Sequence, residues 1–291
     1  MSRETPTAAG FSDQLFATVQ LCLPTRFLSW LMFKLTRVQW RAFKNIFIRV
    51  FMHQFQISLA EAQIERAENF HSFNDFFTRA LKPDARPIAP APAFISPVDG
   101  TISQLGPIHD GRIFQAKGHD YSAVELFGGD ALTAREFAGG EFCTIYLAPY
   151  NYHRIHMPAN ARLRHWRYVP GRLFSVNPAT ARAMPNLFAR NERVIAVFDT
   201  DKGPLAMVLV GALFVGSIET VWAGQISPPH KRSSEGGNFI EPSPIVLGRG
   251  EEMGRFNMGS TVILLTAAGA VHWDGIALPG ATVRMGQALG R

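Results

Sequence analysis

Cysteine is almost missing from this chain. Cys22 and Cys143 alone are present among 291 residues, too few for a disulfide framework, so a reducing compartment is the default expectation. Charge is scarce as well: 18% of residues are charged against 47% hydrophobic, a balance that excludes an intrinsically disordered chain. The opening "MSRETPTAAG" carries no basic head before an apolar block, so a secretory signal is not expected. There is no H-E-x-x-H pattern, no internal repeat and no low-complexity tract. Acidic residues are absent altogether from residues 26 to 49, where Arg26, Lys34, Arg37, Arg41, Lys44 and Arg49 fall among Phe27, Leu28, Trp30, Leu31, Phe33, Trp40, Phe43, Ile46, Phe47 and Ile48.

That segment dominates the reading of the net charge of +6, which calls for an anionic partner. Its uncharged runs are far shorter than the roughly 18 residues that a membrane-spanning helix needs. A surface-lying basic helix with a Trp/Phe/Leu face suits anionic lipid headgroups. Single-stranded nucleic acid also accepts aromatics between basic residues, but the aliphatic content favours lipid. The plain alternative is an amphipathic helix packed on the core with a basic solvent face.

The length allows one large or two modest domains. Residues 11 to 80 read as helices: one to about Leu23, a break at Pro24, the basic aromatic segment, then "SLAEAQIERAENF" with Ser58 as N-cap and Glu61 completing a capping box. The proline-rich "LKPDARPIAPAPAF" marks the main boundary, giving a helical region 1–82 and a β-rich domain 83–291. Beyond it, "GTISQLG", "RIFQAKG", "FCTIYLA", "RVIAVFD", "LAMVLVGALFVGSIETVWAG", "TVILLTA" and "VHWDGIAL" read as strands, with helices near 122–136 and 178–189. The expected class is α+β: a mainly antiparallel β core, barrel- or sandwich-like, preceded by amphipathic helices. A polar loop is expected at 227–244.

Three places hold polar groups that a fold alone does not require. Asp99 in "SPVDGTISQLG" is either a turn residue of an Asp-Gly hairpin or a catalytic carboxylate. His153 and His156 in "YNYHRIHMP" suit acid/base work, a packed pair or a metal, although further ligands at zinc spacing are missing. Ser260 in "RFNMGSTVILL" opens an apolar β-branched run, where no helix N-cap is needed, and lacks the second glycine of a G-x-S-x-G elbow. A serine becomes nucleophilic only beside a base, and sequence alone does not show that Asp99, His156 and Ser260 meet.

Those stretches, with "QAKGHDYS", "VPGRLFSVNP", "PNLFARNERVI", "VGALFVGSIETVWAG" and "VRMGQALG", run in order along essentially the whole chain. Together they resemble the bacterial phosphatidylserine decarboxylase proenzymes. The resemblance implies self-cleavage at Gly259–Ser260, within a motif where Met258 replaces the usual Leu, leaving a β chain 1–259 and an α chain 260–291. It implies that Asp99, His156 and Ser260 form the self-cleavage triad, and that Ser260 becomes a pyruvoyl group that takes the substrate amine as a Schiff base. Phosphatidylserine would then lose carbon dioxide to give phosphatidylethanolamine. His153 would handle the substrate phosphate or deliver a proton. The family also implies a homodimer of αβ units, peripheral on the cytoplasmic side of the inner membrane, with neither metal nor nucleic acid. An intact serine hydrolase and a non-enzymatic lipid-binding domain are the competing readings.

Overall fold

The computed structural model describes residues 9–214, 217–227, 233–238, 244–258 and 260–291. The run "STVILLT" explains itself by position: Ser260–Thr266 is a strand of a nine-stranded sheet, paired on one side with Glu141–Leu147 and on the other with Gly203–Val210. Both pairings are antiparallel, in register from Ser260↔Leu147 to Thr266↔Glu141. Alternate residues enter different cores. Val262 and Leu264 join Ile155, Ile218, Met253 and Phe256, while Ile263 and Leu265 join Leu126, Phe137, Leu187 and Phe188. A strand covered on both faces has no polar side to alternate with, hence the unbroken apolar run.

The sheet continues through Arg193–Thr200 and Ala161–Val169 on one flank, and Gly100–Pro107 and Thr282–Val283 on the other. A four-stranded sheet, Gly224–Ser227, Ile218–Thr220, Glu252–Phe256 and Arg154–His156, covers one face. Short helices at Ala123–Leu126, Ala131–Arg135, Pro178–Ala183 and Leu187–Arg190 cover the other. The class is α+β and mostly antiparallel, with no closed barrel among the described residues. Of the loop expected at 227–244, residues 235 to 238 form a strand on Ala161–Val169; residues 228–232 and 239–243 lie outside the described residues.

The N-terminal helices are α1 (Phe11–Cys22), α2 (Thr25–Leu35) and α3 (Arg41–Phe55), with the expected break at Pro24. Next comes α4 (Phe73–Phe77), whose Phe73, Phe76 and Phe77 meet Phe47 and Phe51 of α3 in an aromatic cluster.

Three expectations fail. The capping-box segment after Ser58 is not a helix apart from a single turn at Ala67–Asn69. Its Leu59, Ala62 and Phe70 are buried in the aromatic cluster, and Gln63 N and Lys82 N bond the Ala80 and Glu61 carbonyls across to the chain beyond α4. Tertiary packing there outweighs a local cap. "VHWDGIAL" is a turn, with Ala277 N donating to Asp274 O at 2.9 Å, and contributes one isolated bridge, Trp273↔Gly290. Nor is Asp99-Gly100 a hairpin tip: Asp99 lies at a bend and Gly100 begins a strand paired with residues 141–147 and 282–283. A Cβ on Gly100 would stand 2.6 Å from the Tyr146 carbonyl, so close strand approach requires the glycine.

Candidate active site

His156 ends the Arg154–His156 strand, and its backbone N–H donates to Pro97 O at 2.9 Å, which brings it beside the segment carrying Asp99. A carbonyl only accepts, so the 2.8 Å contact to Gly250 O places the ring proton on Nδ1. Nε2 is then the basic nitrogen, and it accepts from the Tyr152 hydroxyl at 2.9 Å while the two rings stack. Burial holds the imidazole below its ordinary pKa, against the opposing pull of the Gly250 carbonyl and the Glu252 carboxylate.

Asp99 does not reach that ring. Arg86 grips its carboxylate through Nε, 2.8 Å from Oδ1, and through Nη2 on Oδ2, while Met285 N donates to Oδ1 at 2.9 Å. The expected orienting bond from Asp99 to His156 is therefore replaced by the Gly250 carbonyl. Arg86 also donates to Glu61, which in turn accepts from Arg284. Four charged side chains thus join the segment after α3, the Asp99 bend and the C-terminal stretch. Burial opposes the Arg86 charge, but its carboxylate partners hold its pKa above the ordinary value.

His153 is fully enclosed. Its Nδ1 donates to Asn151 O at 2.8 Å, its ring lies 4.1 Å from that of Phe77, and its Nε2 has no partner among the described residues. Burial, reinforced by the positive charge of Arg79, pushes its pKa down to about 3, so the ring is neutral.

Ser260 is also fully buried, and its Oγ has no hydrogen-bond partner among the described residues. Met258, two residues before it, has φ 153°, a region costly for any residue but glycine. Gly259 lies outside the described residues. The structure thus brings His156, Tyr152 and Gly250 together, and Asp99 with Arg86, but does not hydrogen-bond either group to Ser260.

Two cavities flank these residues. An apolar one of ≈ 310 Å³ is lined by Met32, Phe47, Phe51, Phe77, Leu147 and Met258, and Leu147 is the register partner of Ser260. A polar one of ≈ 230 Å³ is lined by Glu61, Arg79, Arg86, Asp99 and Tyr152. Among the described residues, no group of three or more His, Cys, Asp or Glu is placed to hold a metal ion. Tyr152, Arg86 and Gly250 escaped the sequence reading. Arg86 sits in the proline-rich stretch, read as a boundary, and a backbone carbonyl leaves no signature in a sequence.

A family model described as phosphatidylserine decarboxylase matches residues 73–291, and another described as PSD matches residues 15–56. The chain belongs to the phosphatidylserine decarboxylase family. It is 53% identical over 280 residues to the phosphatidylserine decarboxylase proenzyme of Pseudomonas fluorescens, across 95% of this chain and 97% of that one. It is 53% identical to the one of Nitrosococcus oceani, across 96% and 92%, and 51% identical to that of Bordetella avium, across 95% and 94%. These decarboxylase relatives are named as proenzymes, so their active form arises by processing. In the present decarboxylase-family chain, the first match holds both histidines, Asp99 and Ser260, and the second covers α3 with most of α1 and all of α2.

Proposed function

We propose that the chain cuts itself between Gly259 and Ser260, and that the product decarboxylates phosphatidylserine to phosphatidylethanolamine at a membrane surface. The observation that carries this reading is the Ser260 hydroxyl, enclosed, unpartnered and two residues beyond a strained Met258.

Cleavage needs the Ser260 Oγ to lose its proton to a neutral imidazole as it attacks the Gly259 carbonyl. His156 is suited to this, because Gly250 fixes its tautomer with Nε2 basic, once Tyr152 yields that nitrogen. The peptide bond becomes an ester; loss of the Ser260 Cα proton then expels the Gly259 carboxylate and leaves dehydroalanine. Hydrolysis with release of ammonia converts that residue to a pyruvoyl group, and a buried position with no hydrogen bond to the departing oxygen fits the change. A pyruvoyl group supplies an electron sink for decarboxylation of an amine-bearing substrate. His153, neutral and with a free Nε2, is suited to hold or deliver a proton there, or to meet the substrate phosphate. Asp99 and Arg86 hold the Met285 segment of the α chain in place.

The membrane reading is supported by helices turned inside out. Helix α1 buries Gln20 and directs Asp13 to Arg182, while Phe11, Leu15, Phe16 and Val19 face outward. Helix α2 buries Thr25 and Ser29 and exposes Phe27, Trp30 and Leu31. Both helices expose polar side chains too, among them Gln14, Thr18, Arg26 and Lys34, but large apolar side chains left outward beside basic ones suit the headgroup boundary of a bilayer. No single helix among the described residues is long and apolar enough to cross a membrane; α1 and α2 pass by length and composition only as a pair, bent by 83°. The proposal includes the peripheral position on the cytoplasmic face of the inner membrane that the resemblance implies.

Intact-mass spectrometry of the purified protein beside a Ser260→Ala variant, with carbon dioxide release from phosphatidylserine, tests the proposal. Two chains, the shorter one blocked by a pyruvoyl group, are expected from the parent, and one inactive chain from the variant. A single unmodified chain that evolves carbon dioxide would overturn it.

A further inference from the structure

Two arginines meet at the elbow where α1 turns into α2, Arg26 from the helical part and Arg172 from the β-rich part, and a third, Arg190, lies next to Arg172. Arg26 donates from Nη2 to Gly171 O at 2.8 Å, and Arg172 reaches Leu21 O, in the last turn of α1, at 3.4 Å. Arg190 stands beside Arg172: the Arg172 N–H donates to Arg190 O at 2.9 Å, and the two guanidinium groups lie 5.1 and 5.2 Å from the centre of one ring, that of Phe174. All three side chains are exposed. Among the described residues, no carboxylate forms an ion pair with any of them, which they share with scattered surface arginines such as Arg41, Arg66 and Arg135; what sets them apart is their grouping.

The elbow is concave as well as cationic. An open hollow of ≈ 460 Å³ is lined by Leu23, Pro24, Thr25, Arg26, Phe27 and Arg172. Its neighbours on the outer surface are the outward apolar side chains of α1 and α2, with Phe27 and Trp30 stacked at 5.9 Å. Clustered guanidinium groups left without carboxylates attract an anion, and their planar forks match phosphate oxygens. An apolar surface alongside the cations excludes a freely soluble anion as the best fit and favours one that carries its own hydrocarbon.

We propose that this elbow is a docking site for the phosphate of an anionic phospholipid, with Arg172 and Arg190 gripping the headgroup layer while Phe27 and Trp30 enter it. The inference rests on the membrane reading above and adds to it: the β-rich part binds lipid with its own side chains, which sets how the catalytic cavities face the bilayer. The lipid held there need not be the substrate, since the recognised chemistry is the phosphate.

The test is co-sedimentation of the full chain with two kinds of vesicle, phosphatidylcholine alone and phosphatidylcholine mixed with phosphatidylglycerol, an anionic lipid that lacks the serine headgroup. An Arg172→Gln/Arg190→Gln variant should bind the anionic vesicles about 30-fold more weakly than the parent, from about fivefold per arginine near a charged surface. Each single variant should lose about fivefold, which keeps the test open if the double variant fails to fold. Arg172→Lys/Arg190→Lys, which keeps the charge but loses the planar forks, should bind more weakly than the parent and more tightly than the double Gln variant. An Arg135→Gln/Lys202→Gln control, which removes the same charge elsewhere on the surface, should bind as the parent does, and all variants should turn over detergent-dispersed substrate equally. Equal weakening in the control would replace the site by diffuse attraction and overturn the proposal. So would parent binding that ignores phosphatidylglycerol, which leaves apolar insertion and the membrane reading standing. A parent that sediments with neither vesicle would remove both.

Discussion

The Tyr152 hydroxyl occupies the one basic nitrogen of His156, at 2.9 Å, while the Gly250 carbonyl holds the other ring nitrogen. The imidazole is therefore oriented without a carboxylate. Tyr152→Phe keeps the stacked ring and removes only the donor, leaving a buried acceptor unpaired at a cost of about 1–3 kcal/mol. Self-cleavage is expected to persist in that variant, and to slow at least tenfold in Tyr152→Ala, which loses the ring as well. Cleavage time courses on gels decide this: an equal defect in both variants would assign the hydroxyl to proton transfer.

Arg86 and Asp99 are a buried pair, at 7% and 9% side-chain exposure. Removing one member of such a pair strands the other, and Arg86→Met is expected to lower stability by about 3–5 kcal/mol. Because Asp99 also accepts from Met285 N, amide exchange at Met285 should accelerate in Asp99→Asn more than at Val262 or Leu264 in the sheet centre. Uniform acceleration would show global loosening instead.

His153 is neutral in the fold, with its pKa pushed down to about 3, and returns to about 6.5 when unfolded. Between those values the unfolded chain binds the extra proton. Stability is fully retained above pH 6.5 and falls as the pH drops towards 3, by at most about 1.4 kcal/mol per pH unit. Denaturant midpoints at pH 7 and pH 5 measure the slope, which should be shallower in His153→Asn.

Met258 is held at φ 153°, where strain costs on the order of 1–3 kcal/mol for a residue with a Cβ. If the strain is released on cutting, Met258→Gly should stabilise the uncut chain and slow cleavage about tenfold. An unchanged rate would mean that the strain is not used.

The parts of the fold set by local chemistry were legible in advance: α1, the Pro24 break, the helical character of the basic segment though not its division between Leu35 and Arg41, and the continuous apolar strand behind Ser260. The histidine pair and Asp99 stood out because polar groups were placed among apolar neighbours. What could not be read were relationships made by closure of the fold. Arg86 meets Asp99 and Met285 only once three distant segments assemble, and Ser58 to Phe70 resembles a helix until the aromatic cluster takes Leu59, Ala62 and Phe70. The basic segment was half legible. Arg26 and Arg41 are exposed as expected, but Lys44 turns inward to the Glu68 carbonyl, and the arginines that complete the elbow lie some 150 residues further on.

The Ser260–Thr266 strand lies between two neighbours in the middle of the large sheet, and further along the chain Thr282–Val283 and Ala288–Gly290 are laced into other strands. A cut at the head of such a strand makes two molecules by covalent count and one by fate. The short piece left by the proposed cut is expected to stay with its own partner, so labelled and unlabelled pools mixed after cutting should remain unscrambled for as long as the protein stays folded.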